Sequence, residues 1–178
     1  MSLPLRLGVA VSDRVAGRRL LPARLLAWVP RAAVGAGVME SLVAHEPARL
    51  LRLVRLAASF TIGCGFCIDL NAHERERQGV TDAELDALAS LGGRVLEPAA
   101  LAAAFPDLRE RLAVEYAHRV SLTPPDLPAS FTADLTGAFD ERELVTWAST
   151  IAQVNFWARF NQALGVPPAG FTNVCAVP

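Results

Sequence analysis

The stretch GCGFCIDLNAHE, residues 63–74, holds two of the chain's three cysteines as Cys64-x-x-Cys67, followed by His73. Three kinds of chemistry suit such a pair: a redox dithiol, part of a metal site, or two small buried residues that happen to carry sulfur. On a helix, residues three apart share a face, so the sulfurs lie close enough for a disulfide or a shared proton. If Gly63 marks the helix boundary, both cysteines fall in the first turn. There, unpaired backbone N–H groups and the positive end of the helix dipole stabilise a thiolate. A thiolate is nucleophilic at neutral pH, and a neighbouring thiol can resolve its oxidised product. The spacing therefore favours a redox dithiol.

The metal reading is weaker on geometry. A closed zinc site needs four ligands, a catalytic one three plus water. Cys64, Cys67 and His73 could supply three, with Cys175 as a fourth, but His73 lies about 120° around a helix from Cys67. No second C-x-x-C and no H-x-x-x-H exists in the sequence. No metal and no other cofactor is expected. The third reading, a pair of buried small hydrophobes, stays open.

The elements that must position this segment are helical. Leu25, Leu26 and Trp28 belong to an apolar segment that Pro30 breaks, and RAAVGAGVMESLVAHE follows as a helix. Pro47 suits the first turn of the next, PARLLRLVRLAASF, which is apolar on most faces and so expected to be buried. The cysteine helix is expected to run to about Gly79. Thr81-x-x-Glu84 reads as a capping box for DAELDALASL, and Asp140-x-x-Glu143 as another before the longest helix, ELVTWASTIAQVNFWARFNQALG. Between them lie PDLRERLAVEYAHRV, closed by the TPPD turn, and the shorter PASFTADLTGAF. Apolar Leu144, Trp147, Ala148, Ile151 and Val154 keep the helical period. The fold class is all-α. One domain over residues 1–178 is expected, with an N-terminal arm over 1–20 and an irregular tail over 166–178. A faint internal echo aligns SFTIGCGFCIDLN with STIAQVNFWARFN at an offset of 90, matching Asn71 with Asn161.

Composition narrows the function classes. The 178 residues suffice to bury about two thirds of the unfolded surface. With 52% hydrophobic residues, 20% charged and a net charge of -1, the chain has no basic tract for nucleic acid and no acidic tail. All 17 basic residues are arginine, a compositional bias rather than a functional signal. The N-terminus lacks the order of a signal peptide, and the longest uncharged run, Phe160 to Pro178, is broken by Pro167, Pro168 and Gly170. A soluble, cytoplasmic protein is expected, in a reducing compartment where close cysteines are more often catalytic or metal-binding than a structural staple.

The segment RLAASFTIGCGFCIDLNAHERERQGV resembles the signature of the carboxymuconolactone decarboxylase family, in its alkylhydroperoxidase AhpD-like branch. The closing stretch NFWARFNQALGVPP is similar to the end of many such proteins, and the similarity runs from about Pro22 to Pro168. The resemblance implies an AhpD-like helical bundle with the C-x-x-C at the start of a central helix. It also implies homo-oligomers and antioxidant, thiol-dependent reduction of peroxides with electrons from a dithiol reductant protein. Cys64 would be proton donor or resolving partner, and Cys67 would pass through a sulfenic acid. Two positions depart from the pattern. The family's relay histidine, four residues after the second cysteine, is Asn71 here, and its glutamate, twelve residues before the first, is Arg52. Asn71 shares the face of Cys67 but cannot accept a proton. Arg52 could favour a thiolate yet cannot shuttle protons. His118 and Glu115 are candidate substitutes on a neighbouring helix, while Asp69 is expected to be a solvated or capping carboxylate. Phe66, Trp147, Phe156, Trp157 and Phe160 read as core or subunit surface. The sequence favours a peroxide-reducing thiol oxidoreductase. A non-catalytic redox-sensing oligomer and a decarboxylase-like lactone enzyme are the alternatives, the last needing no C-x-x-C.

Overall fold

Helix boundaries fall where the chain supplies its own caps. Thr81 Oγ1 accepts the Glu84 N–H at 3.2 Å while Glu84 accepts the Thr81 N–H at 2.8 Å. Asp140 and Glu143 make the same reciprocal pair. Asp107 caps a third helix through the Glu110 N–H at 2.9 Å. The computed structural model describes residues 3–42, 48–73, 75–90 and 96–172. Among these are ten α-helices and no strand: α1 Leu3–Ala16, α2 Leu21–Leu26, α3 Pro30–Leu42, α4 Ala48–Ile62, α5 Gly65–Ala72, α6 Asp82–Ala89, α7 Pro98–Ala104, α8 Leu108–Ser121, α9 Ala129–Ala138 and α10 Glu141–Ala163. None is long and apolar enough to cross a membrane.

The hub is α4. Leu53, Val54, Leu56, Ala57 and Ala58 are fully buried there, so the helix is apolar on most of its surface, and α5, α8 and α10 pack around it. Its arginines, spaced by three, each tie down a different element. Arg49 pairs with Glu84 of α6 at 2.6 Å and Glu110 of α8 at 2.7 Å. Arg52 reaches α5, and Arg55 donates to Gln153 of α10 at 2.7 Å. Arginine suits this task because one planar fork can serve two carboxylates or carbonyls at once.

Three segments differ from the sequence expectation. Residues read as an N-terminal arm include a 14-residue helix, α1, whose Asp13 accepts the Leu20 N–H at 2.7 Å and pairs with Arg24 at 2.8 Å. PAALAAA forms α7, opened by Pro98 in its first turn. The cysteine helix stops at Ala72 instead of running to Gly79, and a separate 3-10 turn, Glu76–Gln78, follows. Arg75 causes the change of course: its guanidinium binds the Ala72 carbonyl at 3.3 Å and Asp82 at 2.5 Å, bridging the end of α5 to the start of α6.

Candidate active site

Gly63, with φ +72°, ends α4 in the left-handed conformation open to glycine, and the next residue turns into α5. That residue is Cys64, the N-cap of α5. Its extended backbone brings Sγ to accept the Cys67 N–H at 3.2 Å. A cap is normally an oxygen from Ser, Thr, Asp or Asn; here a sulfur holds the place. Both thiols are free and buried, Cys64 2% and Cys67 4% exposed.

The environment separates their acidities. A hydrogen bond from the Cys67 thiol, opposed by burial and helped by the Cys67 and Phe66 N–H groups and the Asn161 amide, brings Cys64 down to about 7. Cys67 is pushed up, first by giving its hydrogen to Cys64, then by burial and by repulsion from the Cys64 charge. The cap position gives the first-turn N–H to Cys64 and so favours a thiolate there. The resemblance implied sulfenic acid formation at Cys67, with Cys64 as proton donor or resolving partner.

The two residues at the relay positions bind each other. Arg52 donates to the Asn71 carbonyl at 3.0 Å and to its Oδ1 at 3.2 Å, and also to Gln78. Asn71 Nδ2 donates to the Cys67 carbonyl at 2.8 Å and to Ser59 Oγ at 3.3 Å. An amide oxygen suits a guanidinium as a histidine ring would suit a carboxylate, so the two departures are one coherent change. They pin α5 to α4.

His118 and Glu115, both on α8, are occupied elsewhere. Thr61 Oγ1 gives its hydrogen to the Ala57 carbonyl at 2.8 Å, so the 2.9 Å contact with His118 Nδ1 must be donated by the imidazole. Burial, with Arg119 adding, lowers the His118 pKa, which keeps the ring neutral. Glu115 pairs with Arg119 at 2.8 Å. His73 is exposed and stacks on Phe171 with ring centroids 4.8 Å apart. Among the described residues no three His, Cys, Asp or Glu side chains gather as metal ligands. Cys175 and His45 lie outside the described residues. Phe66 and Trp147 are core, and Phe156 is exposed.

Sequence reasoning missed two features of the site. Asn161 of α10 reaches the dithiol, its Nδ2 standing 3.6 Å from Cys67 Sγ. The faint echo that aligned it with Asn71 was the only signal, and the two asparagines flank Cys67. The other is a strap, residues 166–172. Val166 and Ala169 pack against the cluster of Cys64, Phe66, Cys67 and Ala158, and Pro168 lies so close to Gly65 that a Cβ there would meet it at 3.3 Å. Asp69 is no solvated carboxylate: fully buried, it accepts the Phe171 N–H at 3.0 Å and the Thr172 N–H at 2.7 Å. Arg18 binds the Ala169 carbonyl at 3.1 Å and lies over the Phe171 ring.

A conserved-domain comparison agrees with this arrangement: residues 31–110, which carry α4, the dithiol and α6, match the model of the carboxymuconolactone decarboxylase family. The match covers somewhat less than half of the chain and marks a likeness to that family. Escherichia coli YnjA, an uncharacterized protein, is 34% identical over 116 residues, 65% of this chain and 57% of YnjA. The match thus spans little more than half of that curated relative's length. Among solved structures, the debrominase Bmp8 superposes with a TM-score of 0.75 at 19% identity, over 95% of this chain and 88% of that one. A cysteine-to-alanine variant of Bmp8 in complex with 2,3,4-tribromopyrrole gives 0.68 at 20% identity, over 97% and 86%. Agrobacterium tumefaciens ATU0492, of unknown function and proposed as an AhpD antioxidant defence protein, gives 0.67 at 19% identity, over 81% and 94%. At such identities these likenesses establish the fold, an AhpD-like helical bundle.

Proposed function

We propose that this protein is a thiol-dependent oxidoreductase that reduces hydroperoxides by cycling Cys64 and Cys67 between dithiol and disulfide. The observation that carries the reading is the Cys64 sulfur in the cap of α5, accepting the Cys67 N–H, with the protonated Cys67 thiol beside it. The Cys64 thiolate attacks the terminal peroxide oxygen; an S–O bond forms, the O–O bond breaks, and the departing alkoxide takes the proton of Cys67. The Cys67 thiolate then attacks the Cys64 sulfur, an S–S bond forms, and hydroxide leaves with a proton from water. A dithiol reductant protein restores both thiols. The match to the carboxymuconolactone decarboxylase family model supports this reading, as does the likeness to ATU0492. Homo-oligomeric assembly belongs to the same proposal.

Peroxide consumption coupled to a dithiol reductant tests it. Wild type should consume peroxide, and Cys64→Ser and Cys67→Ser should each abolish turnover. No consumption, with oligomer size changing between oxidised and reduced protein, would favour the redox-sensing alternative. The likeness to Bmp8 and the aromatic Phe66 and Trp157 beside the thiols favour a second reading, reductive dehalogenation. There Cys64 would take up bromine as the C–Br bond breaks and the ring carbon is protonated. Cys67 would then displace bromide and close the same disulfide. Bromide release from a brominated pyrrole, without peroxide turnover, would select it.

A further inference from the structure

We propose that Asn161 is the hydrogen-bonding partner of the reacting sulfurs, steadying Cys67 once it has given up its proton and receiving the hydroxyl of oxidised Cys64 on its Oδ1. The inference rests on the dithiol reading above. It begins from a vacancy in the chemistry: Asn71, at the position of the family's relay histidine, spends its amide on Arg52, Ser59 and the Cys67 carbonyl. The side chain that does meet a sulfur comes from the other end of the sequence. Asn161 Nδ2 stands 3.6 Å from Cys67 Sγ, and among the described residues no other side-chain donor to that atom is recorded.

The opposite end of the same amide is unusual. Asn161 is almost fully buried, yet its Oδ1 has no partner. Burying an amide oxygen unpaired is unfavourable, and such atoms in native proteins call for a reason. The backbone holds the residue firmly in place, since the Asn161 carbonyl accepts the Val166 N–H at 2.9 Å where the strap begins. A fixed amide with its donor on one sulfur and its acceptor unfilled suits a site in which an S–OH group appears transiently. The first oxidation uses the Cys64 thiolate and the proton of Cys67. The second step needs Cys67 as a thiolate in a buried setting that resists ionisation, and Asn161 is the group that favours that charge. Asn161 therefore acts on resolution of the sulfenic acid as well as on the Cys64 thiolate that starts the cycle.

The near-isosteric Asn161→Leu tests this in two arms. In a Cys64→Ser background, which isolates Cys67, iodoacetamide alkylation at pH 8 should be about tenfold slower with leucine, as a one-unit rise in thiol pKa would give. Equal rates would overturn the proposal. In the second arm, one equivalent of hydrogen peroxide is added with dimedone present. Wild type should close the Cys64–Cys67 disulfide without adduct, whereas Asn161→Leu should carry dimedone on Cys64. Equal disulfide closure would also overturn it. If neither protein is oxidised by peroxide, the hydroperoxide reading fails, and the alkylation arm still decides the role of Asn161. Should circular dichroism show that the leucine variant does not fold, Asn161→Ser, too short to reach the sulfur, is read in the same way.

Discussion

A cysteine used as an N-cap faces the backbone N–H groups that a serine or aspartate would satisfy, and Cys64 draws its acidity from that position and from the Cys67 thiol. Because its pKa is lowered to about 7, its thiolate fraction should rise as pH passes upward through that value. Alkylation followed by peptide mapping should show Cys64 modified first, with Cys67 trailing to higher pH. Cys67→Ala should move the Cys64 midpoint upward, since the main hydrogen bond to the thiolate is lost; an unmoved midpoint would contradict the assignment. The Arg52–Asn71 pair gives a second expectation at this scale. Arg52→Ala and Asn71→Ala should each cost about 1–2 kcal/mol in urea unfolding, and the double variant less than their sum, because both remove one shared contact. Restoring the family's pair, Asn71→His with Arg52→Glu, should raise peroxide turnover, since general acid–base help contributes roughly 100- to 10,000-fold where it operates.

The elements add control of access. Both thiols are almost fully buried, and Val166 and Ala169 of the strap pack on the cluster that holds them, so a shift of the strap should open them to a substrate. What holds the strap is the buried Asp69 carboxylate, two residues beyond Cys67 on α5, with Arg18 of the segment between α1 and α2 gripping from the other side. Asp69→Ala removes the acceptor for two backbone N–H groups and the Thr172 hydroxyl. It should speed thiol alkylation by severalfold at neutral pH while leaving the helical circular dichroism unchanged. Alkylation at the wild-type rate would mean that access runs by another route. Gly65→Ala, which pushes a methyl group into Pro168, should act in the same direction more weakly.

At the scale of the whole molecule, the apolar surface is unevenly spread. Leu7 and Val11 on α1, Trp28 and Val29 in the α2–α3 connection, and Val34 and Val38 on α3 all face outward, Trp28 being 86% exposed. The i, i+4 spacing of both pairs on their helices sets each along one side, and a tryptophan left in water is unfavourable by about 1–3 kcal/mol relative to burial. These first three helices should therefore supply a subunit contact. Light scattering is expected to give a mass above the 19.0 kDa of one chain, and Trp28→Glu with Val34→Glu should lower it toward that value. A 19.0 kDa species at every concentration would refute the homo-oligomer.

Local chemistry made much of this protein legible without coordinates. Helical period, the two capping boxes and the Gly63 boundary depend on residues within a few positions of each other, so the all-α class, most helices and the placement of Cys64 and Cys67 at the start of a helix could be read directly. The family signature is local in the same sense. Helix α1 and the Pro98 start of α7 were equally local but overlooked. What the sequence could not decide was which sulfur carries the charge. That depends on a single N–H turned toward Cys64 and on an amide 94 residues beyond Cys67. Nor could it show that Arg52 and Asn71 satisfy each other, that His118 turns to Thr61, or that Asp69 ties down a strap 102 residues away. Each of these is a contact between distant segments, fixed only when α4, α5, α8 and α10 pack and bury polar atoms that must then find partners.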